Sequence, residues 1–104
     1  MEPKLSLDEA KAIVATKTAP RVTEESIKAK IDSVHYETLV MHENSIGTLC
    51  VITMKNGWVS TGFAAPVDSR NFDKDVSQRY AYDNAFKPLW QLEGYLLRET
   101  LHSQ

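Results

Sequence analysis

The sequence lacks several features that mark common protein classes. Its 104 residues contain one cysteine, Cys50, which excludes an intramolecular disulfide and a zinc site built from cysteines. No apolar run approaches the roughly 18 residues that a membrane-spanning helix requires. The N-terminal residues lack the basic and then apolar pattern of a signal peptide, so we expect a cytoplasmic protein that does not enter a membrane.

A strong excess of charge of one sign is missing too, because the formal net charge is −2. This balance argues against the general basic surface with which proteins bind polymeric nucleic acid, although it permits a local basic site for a small anion. Gly-x-Ser-x-Gly, P-loop and His-Glu-x-x-His motifs are absent, and the histidines are too far apart in sequence for metal-ligand spacing. We therefore expect no metal, no cofactor and no catalytic group.

The composition is that of a folded domain, with 42% apolar and 25% charged residues. A chain of this length forms one domain with a modest core, so self-association would add useful burial. We predict an α+β fold in which a small antiparallel sheet packs with a short N-terminal helix and long C-terminal helices. Residues 19–104 are expected to form this domain, and residues 1–18 an arm or a short helix.

Capping residues predict two short helices near the N-terminus. Ser6 and Glu9 have the spacing of a capping box, which predicts a helix from residue 7. Thr23 is a favourable N-cap for a second helix in "EESIKAKI". We expect Ile27 and Ile31 to form the buried edge of that second helix.

Asn56-Gly57, between two alternating runs, is the clearest local signal in the chain. It predicts a two-residue type I′ turn, in which both residues take positive φ. This turn would pair Met54 with Val59 and give the hairpin one apolar face toward the core. The members of that face are Cys50, Ile52, Met54, Val59, Thr61 and Phe63. The opposite face is mixed and suits an interface, and residues 34–41 are predicted to form a further strand.

The C-terminal third has apolar residues at helical spacing. Pro88 lies inside this run, and a proline in a helix interior costs about 3 kcal/mol. We therefore expect either a kink or two helices, with Pro88 in the first turn of the second. Gly94 costs about 1 kcal/mol relative to alanine in a helix, which suggests that another element approaches closely there.

A polar segment, "GFAAPVDSRNFDKD", connects the hairpin to this helix. One explanation is purely structural, since Asp68, Asn71 or Asp73 can cap the helix that follows. The alternative is a binding site, because a helix N-terminus leaves free backbone N–H groups that suit phosphate. Asn71 can both donate and accept hydrogen bonds with a base, and Asp73 can accept them from ribose hydroxyls.

Further side chains would complete such a site for a nucleotide-like ligand. The candidate base-stacking residues are Phe63, Phe72 and Trp58, and the candidate phosphate partners are Arg21, Arg70 and Arg79. Whether these groups converge depends on the tertiary fold. The sequence therefore leaves the capping and the binding explanations open.

Four segments, taken together, resemble one protein family. They are "APRVTEESIKAKI", "TLCVITMKNG", "NFD" and "LWQLEGYLLR", in this order over roughly residues 19–100. The chain resembles a family of small bacteriophage early proteins that includes the type 1 Thoeris anti-defence sponge. The resemblance implies an α+β subunit in a homo-oligomer, from a dimer to a hexamer, with ligand sites between subunits. It also implies a protein of the host cytoplasm that binds a cyclic nucleotide immune signal without cleaving it.

The ligand that the resemblance implies is a cyclic ADP-ribose isomer or a cyclic oligonucleotide. Asn71 and Asp73, within "NFD", are the binding positions that the family pattern indicates most directly. The further binding residues that it indicates are Phe63 or Trp58 for base stacking and Arg21 and Arg98 for phosphate. Ala64 stands where many relatives have serine, so the ligand preference can differ from theirs.

Two other functions are alternatives. In the first, the protein binds a host protein through an apolar surface, since aromatic residues are common interface anchors. That surface would comprise Trp58, Trp90, Tyr95, Leu96 and Leu97. In the second, the protein is an enzyme that degrades a nucleotide signal, which the missing nucleophile–base pair makes the least favoured of the three.

Overall fold

The fold consists of one sheet and three helices, and the computed structural model describes all 104 residues. The helices are α1 (Leu7–Val14), α2 (Glu24–Lys28) and α3 (Lys74–His102). The strands β1 (Ile31–Val40), β2 (Ile46–Met54) and β3 (Val59–Ala64) form an antiparallel sheet in chain order. Helix α3 packs across one face of this sheet, so the predicted α+β class is confirmed. None of the helices combines the length and the apolarity that crossing a membrane requires.

Helix α1 has the predicted capping box. The Ser6 hydroxyl accepts the N–H of Glu9, and the Glu9 carboxylate accepts the N–H of Ser6. These hydrogen bonds lower the pKa of Glu9. Helix α1 contains no buried residue, and Leu7 is 71% exposed. The apolar side chains of this helix therefore remain largely in solvent.

Helix α2 begins at the predicted cap and then ends early. Thr23 and Ser26 each accept the backbone N–H of the other through their hydroxyls. Ile27 is fully buried beneath the helix, as expected. Ile31 does not extend this helix, because the chain has already turned and Ile31 is the first residue of β1.

The hairpin turn differs from the predicted one by one residue. Met54 O accepts the N–H of Gly57 at 2.9 Å, and Met54 N donates to Trp58 O at 2.8 Å. Gly57 has a φ of +91°, whereas the backbone of Asn56 keeps a negative φ. These features define a three-residue loop with a glycine bulge at its end. The predicted type I′ turn is therefore wrong, and Val59 pairs with Thr53.

This shift of one residue in the strand register moves every β3 side chain to the other face of the sheet. Ile52 pairs with Ser60, and Cys50 pairs with Gly62, so Ser60 and Gly62 face α3 and are buried. We call the opposite face of the sheet the open face. It carries three residues that were predicted for the core, which are Val59, Thr61 and Phe63. The predicted core positions of β2, which are Cys50, Ile52 and Met54, are confirmed.

Helix α3 is one continuous helix of 29 residues, so the alternative of two separate helices is wrong. Pro88 lies inside it on an exposed side. Water can therefore hydrogen-bond the carbonyl of Asn84, which the missing N–H of Pro88 leaves free. The residues that α3 buries recur at every fourth position, as Ser77, Ala81, Ala85 and Leu89, with Phe86 beside them.

Gly62 marks the place where α3 comes nearest to the sheet. A Cβ on Gly62 would lie 2.7 Å from the carbonyl carbon of Asn84, and closer still to backbone atoms of Ala81 and Ala85. A Cβ on Gly94 would meet nothing within 4 Å. The close approach expected at Gly94 is therefore found at Gly62 instead.

The chain buries little of its surface on folding. Only 13 of its 104 residues are buried, and its radius of gyration is 17.1 Å. A compact domain of this length has a radius of gyration of about 13 Å. The accessible surface is 8178 Å², whereas a compact monomer of this mass would expose about 5,900 Å². The mostly exposed helix α1 and the C-terminal end of α3 account for part of this difference.

Candidate ligand-binding site

The polar segment after β3 forms one wall of a cleft of about 540 Å³ at the start of α3. Its lining residues are Phe63, Ala64, Ala65, Pro66, Asn71, Asp73, Val76, Ser77, Tyr80 and Asn84. Three residues predicted to bind a ligand, Phe63, Asn71 and Asp73, lie together here. We call this the α3 cleft, and it combines a ring, an amide and a carboxylate.

Two side-chain hydrogen bonds connect the end of β3 to α3 and so position the cleft. The amide of Asn84 donates to Phe63 O at 2.9 Å. The hydroxyl of Ser77 donates to Ala64 O at 3.3 Å. Because both donors project from one helix, the end of the strand is held against the first turns of that helix.

Asp73 is the N-cap of α3. Its Oδ1 accepts the N–H of Val76 at 3.0 Å, and its carbonyl accepts the N–H of Ser77 at 2.9 Å. The capping explanation is thus correct for Asp73. Its second carboxylate oxygen has no partner in the chain, and the first two backbone N–H groups of the helix are also unpaired. Capping therefore leaves hydrogen-bonding capacity at this end of the cleft.

Asn71 is the polar group of the cleft with the most free capacity. Its backbone N–H donates to Asp68 O at 2.9 Å, while its side-chain amide makes no hydrogen bond within the chain. Asp68 is instead occupied by the neighbouring arginine, because Arg70 Nη2 donates to its Oδ2 at 2.7 Å. This pair lowers the pKa of Asp68 and raises the pKa of Arg70. Arg70 is therefore already paired, and Asn71 is available.

Two aromatic rings border the cleft. Phe63 is 42% exposed and Tyr80 is 62% exposed. The Phe63 ring lies over Gly47, where an added Cβ would be 2.9 Å from its Cε1 atom. Gly47 thus leaves room for this ring on the open face. Each ring can offer surface to a flat ligand group.

Tyr80 and Asn84 were not predicted as site residues. Tyr80 recurs with the apolar residues of the C-terminal helix, and Asn84 is one of the polar residues between them. A signal was present, because Asp73, Ser77, Tyr80 and Asn84 are spaced by 4, 3 and 4 residues. Such spacing places polar groups on one face of a helix.

The structure does not bring the other three predicted residues to this cleft. Trp58 borders a hollow of about 400 Å³ between the hairpin turn and α3. Arg21 lines an adjoining hollow of about 210 Å³, and Arg98 lines neither hollow. At 1.5 Å per residue, Asp73 and Arg98 are about 37 Å apart along the helix axis. One chain therefore cannot present Asp73 and Arg98 to the same small ligand.

The four arginines divide into two pairs by their environment. Arg70 is paired with Asp68, and Arg79 is paired with Asp83 and lies 5.1 Å from the centre of the Tyr82 ring. The other two, Arg21 and Arg98, form no ion pair within the chain. No lysine or arginine lines the α3 cleft. A cation that meets a phosphate in this cleft must therefore come from outside its lining.

The remaining reactive groups lie away from the cleft. Cys50 is fully buried, and burial raises the pKa of its thiol. Burial therefore disfavours the thiolate, which is the reactive form of cysteine. No three His, Cys, Asp or Glu side chains lie close enough together to hold a metal ion.

Comparison with known proteins places the chain in one family. Residues 22–101, from just before α2 almost to the end of α3, match the phage protein (N4 Gp49/phage Sf6 gene 66) family. No curated protein and no solved structure matches the chain significantly. The matched range contains the whole α3 cleft. Because this match covers most of the chain, the protein belongs to the phage protein (N4 Gp49/phage Sf6 gene 66) family.

Proposed function

We propose that this phage protein binds a cyclic nucleotide immune signal of its host and holds it without cleaving it, as an anti-defence protein. The α3 cleft carries the proposal, because it unites an unpaired amide, a carboxylate and two exposed rings at a helix N-terminus. These groups suit the base, ribose hydroxyls and phosphate of a nucleotide. The ligand would be a cyclic ADP-ribose isomer or a cyclic oligonucleotide, and the four sequence segments that resemble the sponge family support the same ligand class.

The base is the part of the ligand that the cleft is best equipped to bind. Phe63 and Tyr80 are both partly exposed at its border, and base–aromatic stacking contributes about 1–3 kcal/mol per base. Asn71 has a free donor and a free acceptor, which the edge of a base requires. Ala64 also lines the cleft, so a serine at this position would add a hydroxyl there and change ligand preference.

A cation for the phosphates would come from a second subunit. The lining of the α3 cleft contains no cation, while Arg21 and Arg98 are unpaired elsewhere in the chain. A second copy can bring one of these arginines to the cleft, where its guanidinium would bind a phosphate through two parallel hydrogen bonds. This is why we propose that the ligand sites lie between subunits of a homo-oligomer.

Binding without cleavage agrees with the chemical character of the lining. Asp73 is the only charged residue of the cleft, and one of its carboxylate oxygens is used by the cap. The cleft is lined by no histidine, the commonest general base, and its one aliphatic hydroxyl, that of Ser77, is buried and donates to Ala64 O. The groups that line it are hydrogen-bonding and stacking groups, which is what a sequestering protein needs.

Titration of purified protein with cyclic ADP-ribose isomers and cyclic oligonucleotides tests the proposed site. Asn71→Ala and Tyr80→Ala should each weaken binding at least about tenfold, the equivalent of losing about 1.4 kcal/mol of contacts. Val67→Ala is the matched control, because Val67 is fully exposed and lies outside the cleft. If Asn71→Ala and Tyr80→Ala both bind every ligand as tightly as wild type does, the binding site lies elsewhere.

A mixing experiment tests whether two subunits share a site. Asn71→Ala and Arg21→Ala should each weaken binding alone. If the two residues come from different subunits, exchanging subunits between the variants creates one site with both native residues and restores part of the binding. The same experiment with Arg98→Ala identifies which arginine serves the cleft. If mixing restores nothing with either arginine, the sites are not shared as proposed.

A protein-binding function is the second candidate, because one exposed apolar hollow favours it. The hollow of about 400 Å³ is lined by Met54, Trp58, Leu89, Leu92 and Leu96 together with polar residues. Trp58 is 55% exposed and Leu96 is 51% exposed, so this part of the predicted contact surface is not core. A pull-down from host lysate tests this function. It is favoured if wild type recovers a host protein in stoichiometric amount, Trp58→Ala does not, and no small molecule is bound.

A further inference from the structure

The side-chain amide of Asn84 has a fixed orientation in the α3 cleft. Its Nδ2 atom donates to Phe63 O at 2.9 Å. A carbonyl oxygen can only accept, so the nitrogen of the amide must be the atom that faces β3. The Oδ1 atom, on the other arm of the amide, accepts no hydrogen bond within the chain. Asn84 is exposed and lines the cleft, so it presents an unpaired acceptor to a ligand.

Two further side chains of the lining have no hydrogen to donate to a ligand. The Ser77 hydroxyl already uses its hydrogen on Ala64 O, at 3.3 Å. Asp73 keeps one carboxylate oxygen free after capping the helix, and a carboxylate only accepts. Among the five polar side chains of the lining, only Asn71 and Tyr80 have a polar group that is wholly free. The cleft is thus richer in acceptors than in donors.

A lining of this kind favours ligand groups that donate hydrogen bonds. The bases differ in this property, because adenine and cytosine carry an exocyclic amino group, whereas thymine has a carbonyl oxygen at the corresponding position. An amino group would donate to Oδ1 of Asn84. A carbonyl oxygen would instead set two acceptors against each other and leave both without a hydrogen bond.

We propose that Asn84 selects the base of the bound nucleotide by accepting a hydrogen bond from its exocyclic amino group, as in adenine. Tyr80 precedes Asn84 by four residues, and residues four apart are neighbours on the surface of a helix. A base whose face contacts the Tyr80 ring can therefore set its edge against Asn84. This inference rests on the proposed function, because it names the class of base that the α3 cleft prefers.

Asn84 also has a structural role, which is separable from base selection. Its hydrogen bond to Phe63 O ties the end of β3 to α3, so loss of the side chain loosens one wall of the cleft. Loosening lowers the affinity for every base by a similar factor, whereas loss of the acceptor lowers the affinity for amino-bearing bases alone. The ratio of affinities for two ligands that differ only in the amino group therefore reports the acceptor.

Calorimetric titration with matched ligand pairs measures this ratio. Each pair consists of a cyclic ADP-ribose isomer, or an adenine-containing cyclic dinucleotide, and its counterpart in which hydrogen replaces the amino group of the base. Wild type should bind the adenine form about tenfold more tightly, because the counterpart leaves Oδ1 of Asn84 unpaired. Asn84→Ala should bind both forms with nearly equal affinity. Val67→Ala is the matched control outside the cleft and should keep the wild-type ratio.

Asn84→Asp separates the two roles of the side chain. A carboxylate cannot donate to Phe63 O but still accepts from an amino group, so this variant should bind more weakly overall and keep the preference for adenine. Circular dichroism verifies that each variant is folded.

Three results would overturn the inference while the proposed function stands. They are equal affinity of wild type for both forms, a wild-type ratio in Asn84→Ala, and loss of the preference in Asn84→Asp. If wild type binds neither form of any pair, the proposed function fails, and the inference fails with it.

Discussion

Gly62 gives the most direct test of how α3 packs on the sheet. A Cβ at this position would approach three backbone atoms of α3 to less than 3.0 Å, the least severe being Asn84 C at 2.7 Å. Backbone atoms of a packed helix cannot rotate away, so Gly62→Ala must move α3 off the sheet by about 1 Å to reach ordinary contact distance. Overpacking typically costs 1–3 kcal/mol, and we expect about 3 kcal/mol here, or a melting temperature about 12–24 °C lower.

Gly94→Ala is the matched control for this experiment and should have the opposite sign. Its Cβ would meet nothing within 4 Å, and alanine in a helix interior is about 1 kcal/mol more favourable than glycine. Urea and thermal unfolding of both variants and wild type, followed by circular dichroism at one fixed protein concentration, give the two differences. If both substitutions change stability in the same direction, α3 does not cross the sheet at Gly62.

Three further predictions concern the turn, the cap and the buried ionisable groups. Gly57→Ala should lower the free energy of unfolding by about 1–2 kcal/mol in urea melts, because a φ of +91° strains any L-residue; an unchanged value would contradict the bulged loop. Asp73→Ala should lower the free energy of unfolding by about 1 kcal/mol, because the helix loses its cap, whereas Asp73→Asn keeps the cap. If Asp73→Asn leaves stability unchanged and still weakens ligand binding, the carboxylate charge contributes to binding. Burial raises the pKa of Tyr36 and of the Cys50 thiol, so the unfolded chain releases these protons at lower pH than the folded chain. This contribution to stability should therefore be complete below about pH 8.5 and be lost as the pH rises through the pKa values of the folded chain. Urea unfolding midpoints measured from neutral to alkaline pH should fall, and midpoints that stay constant would contradict this.

Helix starts were predictable because their causes are local. Ser6 and Thr23 each cap the helix that follows through groups at most three residues away. Asp73 was one of three candidate caps, and its spacing from the first helical turn decided among them. Interactions of this range are fully contained in the sequence.

The hairpin register was not predictable from the turn signal alone. Asn56-Gly57 is compatible with a two-residue turn and with a three-residue loop that ends in a glycine bulge. The choice between them depends on which β3 residue lies beneath α3, and the residue there is Gly62, where a Cβ would meet the backbone of the helix. That contact joins Gly62 to Ala81, Asn84 and Ala85, which are 19 to 23 residues further along the sequence. It moves Phe63 from the predicted core to the open face.

The candidate site was predictable in part. Asn71 and Asp73 follow one another closely in a polar segment, and Phe63 is near enough in sequence to join them. Tyr80 and Asn84 share a helix with many apolar residues, so the amphipathic pattern of that helix conceals their common face. Arg21 and Arg98 do not line the cleft in the single chain, so their role depends on the homo-oligomer that we propose.

Recovery of intact ligand after heating tests the proposed function most directly. The protein is mixed with a panel of cyclic ADP-ribose isomers and cyclic oligonucleotides, the filtrate is assayed, and the retained protein is then denatured by heat and assayed again. A sequestering protein should remove at least one ligand from the filtrate and release it chemically unchanged, and Asn71→Ala should retain much less. If the released ligand is altered, or if every ligand stays in the filtrate, the proposed sequestration is contradicted.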